Sequence, residues 1–168
     1  MKFIKSISTS IFTLLLCTAC ESDLEQVTYS SENAIPSTLS SLNDSYILES
    51  KNASQEAFTL TWSYPDLGYQ ASVINALEMD VKDKNFANKV ILASSKTDLS
   101  HTITVSDLNS KIMTLLKVYE METAPIGIEF RISSSISAAA DTLYSNIVST
   151  TITPVSYTHL RAHETRSN

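Results

Sequence analysis

Residues 58–68 read FTLTWSYPDLG, and the fold turns on them. Phe58, Leu60 and Trp62 alternate with Thr59, Thr61 and Ser63. An extended chain therefore carries bulky apolar side chains on one face and hydroxyls on the other, the mark of a half-buried strand. A helix would scatter the same residues around its circumference. Pro65 and Gly68 then punctuate a turn, the first by fixing φ and the second by accepting left-handed conformations.

Outward from this stretch the period of two recurs. ASVINALEMDV (71–81) puts Val73, Leu77, Met79 and Val81 on one face, with Asn75 as an imperfection. DKNFANKVILASS (83–95) gives a turn and then a short strand around Val90–Ala93. SHTITVS (100–106) points Ile103 and Val105 inward and Thr102 and Thr104 outward. IGIEFRISSSI (126–136) aligns Ile126, Ile128, Phe130 and Ile132 against Glu129, Arg131 and Ser133, and YSNIVSTTITP (144–154) supplies a last strand. One segment obeys a different period. In SDLNSKIMTLLKV (106–118), Leu108, Ile112, Leu115 and Leu116 form a helical stripe, with Ser106 as the expected N-cap and Asp107 favouring the positive end. Short alternating strands separated by turns imply a mostly β protein. The expected fold is an immunoglobulin- or fibronectin III-like antiparallel β-sandwich with one short helix, spanning residues 46–154.

Composition agrees with a single folded domain. Of 168 residues, 43% are apolar and 18% charged, enough to build a core. The net charge of −6 argues against a nucleic-acid partner, which requires clustered Lys and Arg. Two glycines cannot readily build a phosphate-binding loop.

The N-terminus carries an address. MKFIKSISTSIFTLLLCTAC (1–20) sets Lys2 and Lys5 before an apolar run from Ile7 to Leu16 that is too short to span a bilayer. It ends in CTAC and so resembles a bacterial lipobox, with Cys17 standing where an aliphatic residue is usual. The expectation is a lipoprotein signal peptide over 1–19 and lipidation of Cys20. Several acyl chains on one residue anchor stably, at about 0.8 kcal/mol per buried CH₂. Cys17 leaves with the signal, so no intrachain disulfide is available. Residues 20–45, acidic at Glu21, Asp23 and Glu25 and then rich in serine, read as a flexible tether reaching roughly 25–30 Å.

The C-terminus reads differently. VSYTHLRAHETRSN (155–168) holds His159 and His163 four residues apart with Glu164 beside them, a spacing that suggests a metal site. Back-translated, however, residues 155–165 are compatible with a transposon-end adapter from shotgun library preparation, read through in frame. The expectation is that 155–168 is not native, that no metal ligand lies there, and that the natural chain continues beyond Thr153.

The remaining candidates for chemistry are few. His101 shares a face with Ile103 and Val105 and has no nucleophile or metal partner in the sequence, so it reads as structural. Glu78, Asp80 and Asp83 read as a solvated strand end, since a calcium loop needs more oxygen ligands. Trp62, Tyr64 and Tyr69 are candidate glycan-stacking aromatics, with core packing as the competing role for Trp62. Asp141–Leu143 (DTL) resembles a bacterial O-glycosylation acceptor. No catalytic residues, cofactor or metal ligands are identified, and an enzyme is not expected.

These features in succession resemble the N-terminal domain of SusE-type outer-membrane lipoproteins. The resemblance is carried by the lipobox at Cys20, AFTLTWSYPDLGYQASV (57–73), LEMDVKDKNFANKVILASS (77–95), TITVSDLNSKIMTLL (102–116) and LYSNIVSTTITP (143–154). It implies a sandwich that serves as a stalk, lipid-anchored in the outer membrane and exposed at the cell surface. It further implies partnership with an outer-membrane glycan transporter complex in uptake of a starch-like polysaccharide, with glycan binding in modules downstream. A structural or adhesive lipoprotein that binds protein partners through its sandwich is the alternative.

Overall fold

The computed structural model describes residues 33–137 and 140–155. Its strands are β1 (Ser45–Ile47), β2 (Glu56–Thr61), β3 (Ile74–Val81), β4 (Val90–Ser95), β5 (Ser100–Thr104), β6 (Ile126–Ser135), β7 (Leu143–Tyr144) and β8 (Val148–Thr153), with helix α1 (Val105–Val118) between β5 and β6. The larger sheet has the order β1-β8-β6-β3-β4, and β7 pairs with the far end of β6. Its pairings are antiparallel except that β1 runs parallel to β8.

The smaller sheet pairs β2 with β5 and is widened by the chain before β1, where Ile35 bridges Asp66 and Leu39 bridges Trp62. If β2, β3, β5, β6 and β8 are taken as strands B, C, E, F and G, the larger sheet reproduces the C–F–G order of an immunoglobulin sandwich.

The alternation read from the sequence is what the sheets bury. Phe58, Leu60 and Trp62 from the smaller sheet meet Leu77, Met79, Ile128, Phe130 and Ile132 from the larger one in a single core. Phe58 touches Phe130 edge-on with ring centroids 5.8 Å apart, which joins the two layers. The helix lays Leu108, Ile112, Leu115 and Leu116 into the same core and closes one end of the sandwich. Its N-cap is Thr104 rather than Ser106: the Thr104 hydroxyl accepts from the Asp107 N–H at 3.3 Å. The cap lies two residues earlier than expected because Val105 and Ser106 already donate their N–H groups to the carbonyls of Gln55 and Ala53.

Three further expectations are corrected. Residues 35–45, read as tether, are packed: Leu39 and Ser37 are buried, and β1 lies on β8. The serine-rich composition hid an extended edge segment, held by two isolated bridges, whose buried side chains are Ser37 and Leu39. Asn75, read as an imperfection of the apolar face, is tied in through one end of its amide: Ser134 donates to its Oδ1 at 2.7 Å and Ser37 reaches Ser134 across the layers at 3.2 Å, while its Nδ2 has no partner among the described residues. Glu78 and Asp80 are not solvated. Both are buried on the outer face of β3 beneath the loop 82–89, which folds back over the sheet.

The register fixes the two ends of the molecule. At one end Ile74 faces Ser135, and this end carries the β2–β3 and β6–β7 loops; at the other, Val81 faces Ile128 near α1. The described chain enters at the first end, where Ile35 pairs with Asp66. It leaves at the second, where the Val155 N–H donates to Asn109 Oδ1 on α1 at 2.8 Å.

Candidate functional site

The aromatic candidates do not act together. Trp62 ends the alternation of β2 and turns into the core, only 6% exposed; its backbone N–H donates to the Leu99 carbonyl at 2.9 Å, while its indole Nε1 has no partner among the described residues. Tyr64, two residues on, is 43% exposed at the entry end. Its hydroxyl donates to the Ala71 carbonyl at 3.4 Å and accepts from the Val73 N–H at 3.2 Å, so it pins both limbs of the β2–β3 loop. Within that loop Asp66 Oδ1 accepts from the Gly68 N–H at 2.8 Å, and Gly68 takes a φ of 74°, a turn that glycine adopts without steric cost. The result is an open depression of about 690 Å³ whose lining includes Tyr64, Asp66, Tyr69 and Gln70. Two tyrosine rings beside a carboxylate and an amide suit a ligand with an apolar face and hydroxyl edges. The structure thus brings Tyr64 and Tyr69 to one depression and places Trp62 in the core.

The densest polar grouping lies elsewhere, and the sequence reading missed it. On the outer face of the larger sheet Glu78, only 2% exposed, accepts from Arg131 Nε at 2.8 Å and from the Ser133 hydroxyl at 2.8 Å, and pairs with Lys89. The Arg131 guanidinium lies between the rings of Phe86 and Tyr144, 4.0 and 3.9 Å from their centroids. Burial raises the Glu78 pKa, but the hydrogen bonds from Lys89, Arg131 and Ser133 together outweigh it and hold the carboxyl below its ordinary value. Asp80, two residues along, accepts from the Val81 N–H at 2.7 Å, the Asn88 N–H at 3.1 Å and the Tyr119 hydroxyl at 2.9 Å. These two carboxylates secure the loop 82–89, in which Asp83, Asn85 and Phe86 all adopt positive φ. Every charge here has a partner, so the arrangement fastens elements and offers no open position to a substrate.

His101 points between the layers opposite Leu60, and its Nε2 has no partner among the described residues. Among the described residues there is no grouping of three or more His, Cys, Asp or Glu able to hold a metal, and no helix is long and apolar enough to cross a membrane. Cys20, the signal stretch before it and the histidines of the C-terminal run lie outside the described residues.

The comparisons bear on what this sandwich is. No curated protein matches the chain. The family model for SusE outer membrane proteins matches residues 22–133, which takes in the bridged edge segment at 35–40, β1 to β5, α1 and most of β6. With well over half of its length matched, the chain belongs to the SusE family of outer membrane proteins.

Proposed function

We propose that this protein is a surface-exposed lipoprotein of a polysaccharide uptake system, with its sandwich serving as the spacer between a lipid anchor at Cys20 and glycan-binding modules that follow. Family membership supports the coarser part: an outer membrane protein of a polysaccharide utilisation system. One observation supports the finer part. The chain enters the sandwich at the end bearing the β2–β3 loop and leaves at the end bearing α1, with β3 running between the two ends. At about 3.3 Å per residue, the eight residues of β3 separate the two ends by roughly 25 Å. A domain threaded end to end transmits position from one attachment to the next. In this reading the captured polymer is starch-like, and the partner is an outer-membrane glycan transporter complex.

Two measurements test this. Cys20→Ala should release the protein from membranes; unchanged retention refutes lipidation there. The 168-residue chain should migrate unretarded in a starch gel while the product of the uninterrupted gene is retarded. Retardation of the short chain, abolished by replacing Tyr64 and Tyr69 with Ala, would move glycan contact into the β2–β3 depression and sink the spacer assignment. The adhesive reading draws on the exposed Ile91 and Tyr144 of the larger sheet, and sugar-independent capture of a protein partner by the short chain would favour it.

A further inference from the structure

The loop between β6 and β7 ends in Asp141 and Thr142, followed by Leu143 at the start of β7. This run carries the acceptor-like pattern of an acidic residue, a hydroxyl and an aliphatic side chain. Asp followed by Ser or Thr occurs twice in the chain, at 44–45 and at 141–142, and the fold treats the two differently. Ser45 opens β1 with its backbone opposite Thr151, and the next residue, Tyr46, packs its ring 4.8 Å from Phe58. Presenting Ser45 to an enzyme would strip β1 from β8 and pull a ring off the core. Thr142 has no such ties. It is exposed, lies outside any strand, and follows an equally exposed Asp141, while half-buried Leu143 fastens the segment by pairing with Ser134. The residues before Asp141, Ser137 through Ala140, are all small.

We propose that Thr142 is an O-glycosylation site, with Asp141 as the charge a transferase reads and Leu143 as the adjoining apolar contact. The donor is a sugar held through a phosphate ester at its anomeric carbon. Thr142 Oγ1 forms the new bond to that carbon, the carbon–oxygen bond to phosphate breaks, the phosphate leaves with the bonding pair, and the hydroxyl proton passes to the enzyme's base. The site sits at the end where the chain enters, on the side of the tether, so a glycan there leaves the exit end and α1 uncovered. The proposal rests on the export reading above, because it needs a transferase met outside the cytoplasm.

The test is peptide mass spectrometry of the protein purified from membranes of the bacterium that encodes it. The peptide containing Thr142 should carry a hexose-type mass series removable by β-elimination. Thr142→Ala and Asp141→Ala should abolish it, and Thr142→Ser should keep it. Both positions of change, 141 and 142, are exposed, and circular dichroism checks that the fold persists. A bare Thr142 in protein whose Cys20 peptide is lipidated overturns this proposal alone. A bare Thr142 together with an unlipidated Cys20 overturns the export reading with it. A phosphate increment, or modification that survives Asp141→Ala, also overturns the assignment.

Discussion

Glu78 on β3 stands directly opposite Arg131 on β6, and the pair is bonded through Arg131 Nε at 2.8 Å beneath the ring of Phe86. Two strands and the loop 82–89 are fastened at this one point. Removing one partner of a buried pair leaves the other charge uncompensated, which costs about 3 kcal/mol. Glu78→Gln should therefore lower the urea midpoint by that equivalent, with Trp62 emission as the probe. Arg131→Met together with Glu78→Leu should recover much of the loss. A Glu78→Gln variant as stable as the parent would mean the pair contributes nothing net.

The same carboxylate sets a pH dependence. Its pKa in the fold lies below the unfolded value, so the stability it contributes is complete above the ordinary carboxylate range. That contribution is lost as pH falls through the depressed value. Between neutrality and about pH 5 the group should add no slope to stability. Below that, the parent should lose stability more steeply than Glu78→Gln, and parallel acid titrations would contradict the assignment.

Helix capping separates two neighbouring hydroxyls. Thr104→Ala removes the acceptor of the Asp107 N–H and should cost about 1 kcal/mol in chemical denaturation. Ser106→Ala should change stability by a few tenths of that at most, roughly within 0.5 kcal/mol. The reverse order would restore Ser106 as the cap.

Asn146 guards an edge. Its side chain accepts from the Leu39 N–H at 2.8 Å and donates to the Leu39 carbonyl at 3.0 Å, standing in for a missing neighbouring strand. Asn146→Ala should destabilise the protein by about 1–3 kcal/mol. The Leu39 amide should exchange faster with solvent while amides of β3 and β6 stay protected. Uniform loss of protection would show that the edge does not open by itself.

The core offers a size check. Phe130 is fully buried and joins the two layers through Phe58, so Phe130→Ala should cost about 3–5 kcal/mol. Ile91→Ala, on an exposed position of β4, should fall roughly within 0.5 kcal/mol of the parent, and calorimetry on both variants compares them directly.

Sequence alone determined the layers and their contents. The alternation at Phe58, Leu60 and Trp62, its repeat at Ile126 through Ile132, and the helical stripe from Leu108 to Leu116 each follow from a local period that any burying environment must respect. Of the proposed site residues, Tyr64 and Tyr69 were legible because turn chemistry placed them on a loop, and Thr142 because a three-residue pattern marked it. What only the tertiary structure decided is which strands lie side by side. Glu78 and Arg131 each look like solvent-facing positions, and their separation in the chain gives no hint of contact; register across β3 and β6 turns them into a buried pair. The edge segment at Ser37 and Leu39 was hidden for the same reason. Two inward side chains are too few to show a period, and only bridging to Trp62 and Asp66, just past β2, brings them against the core.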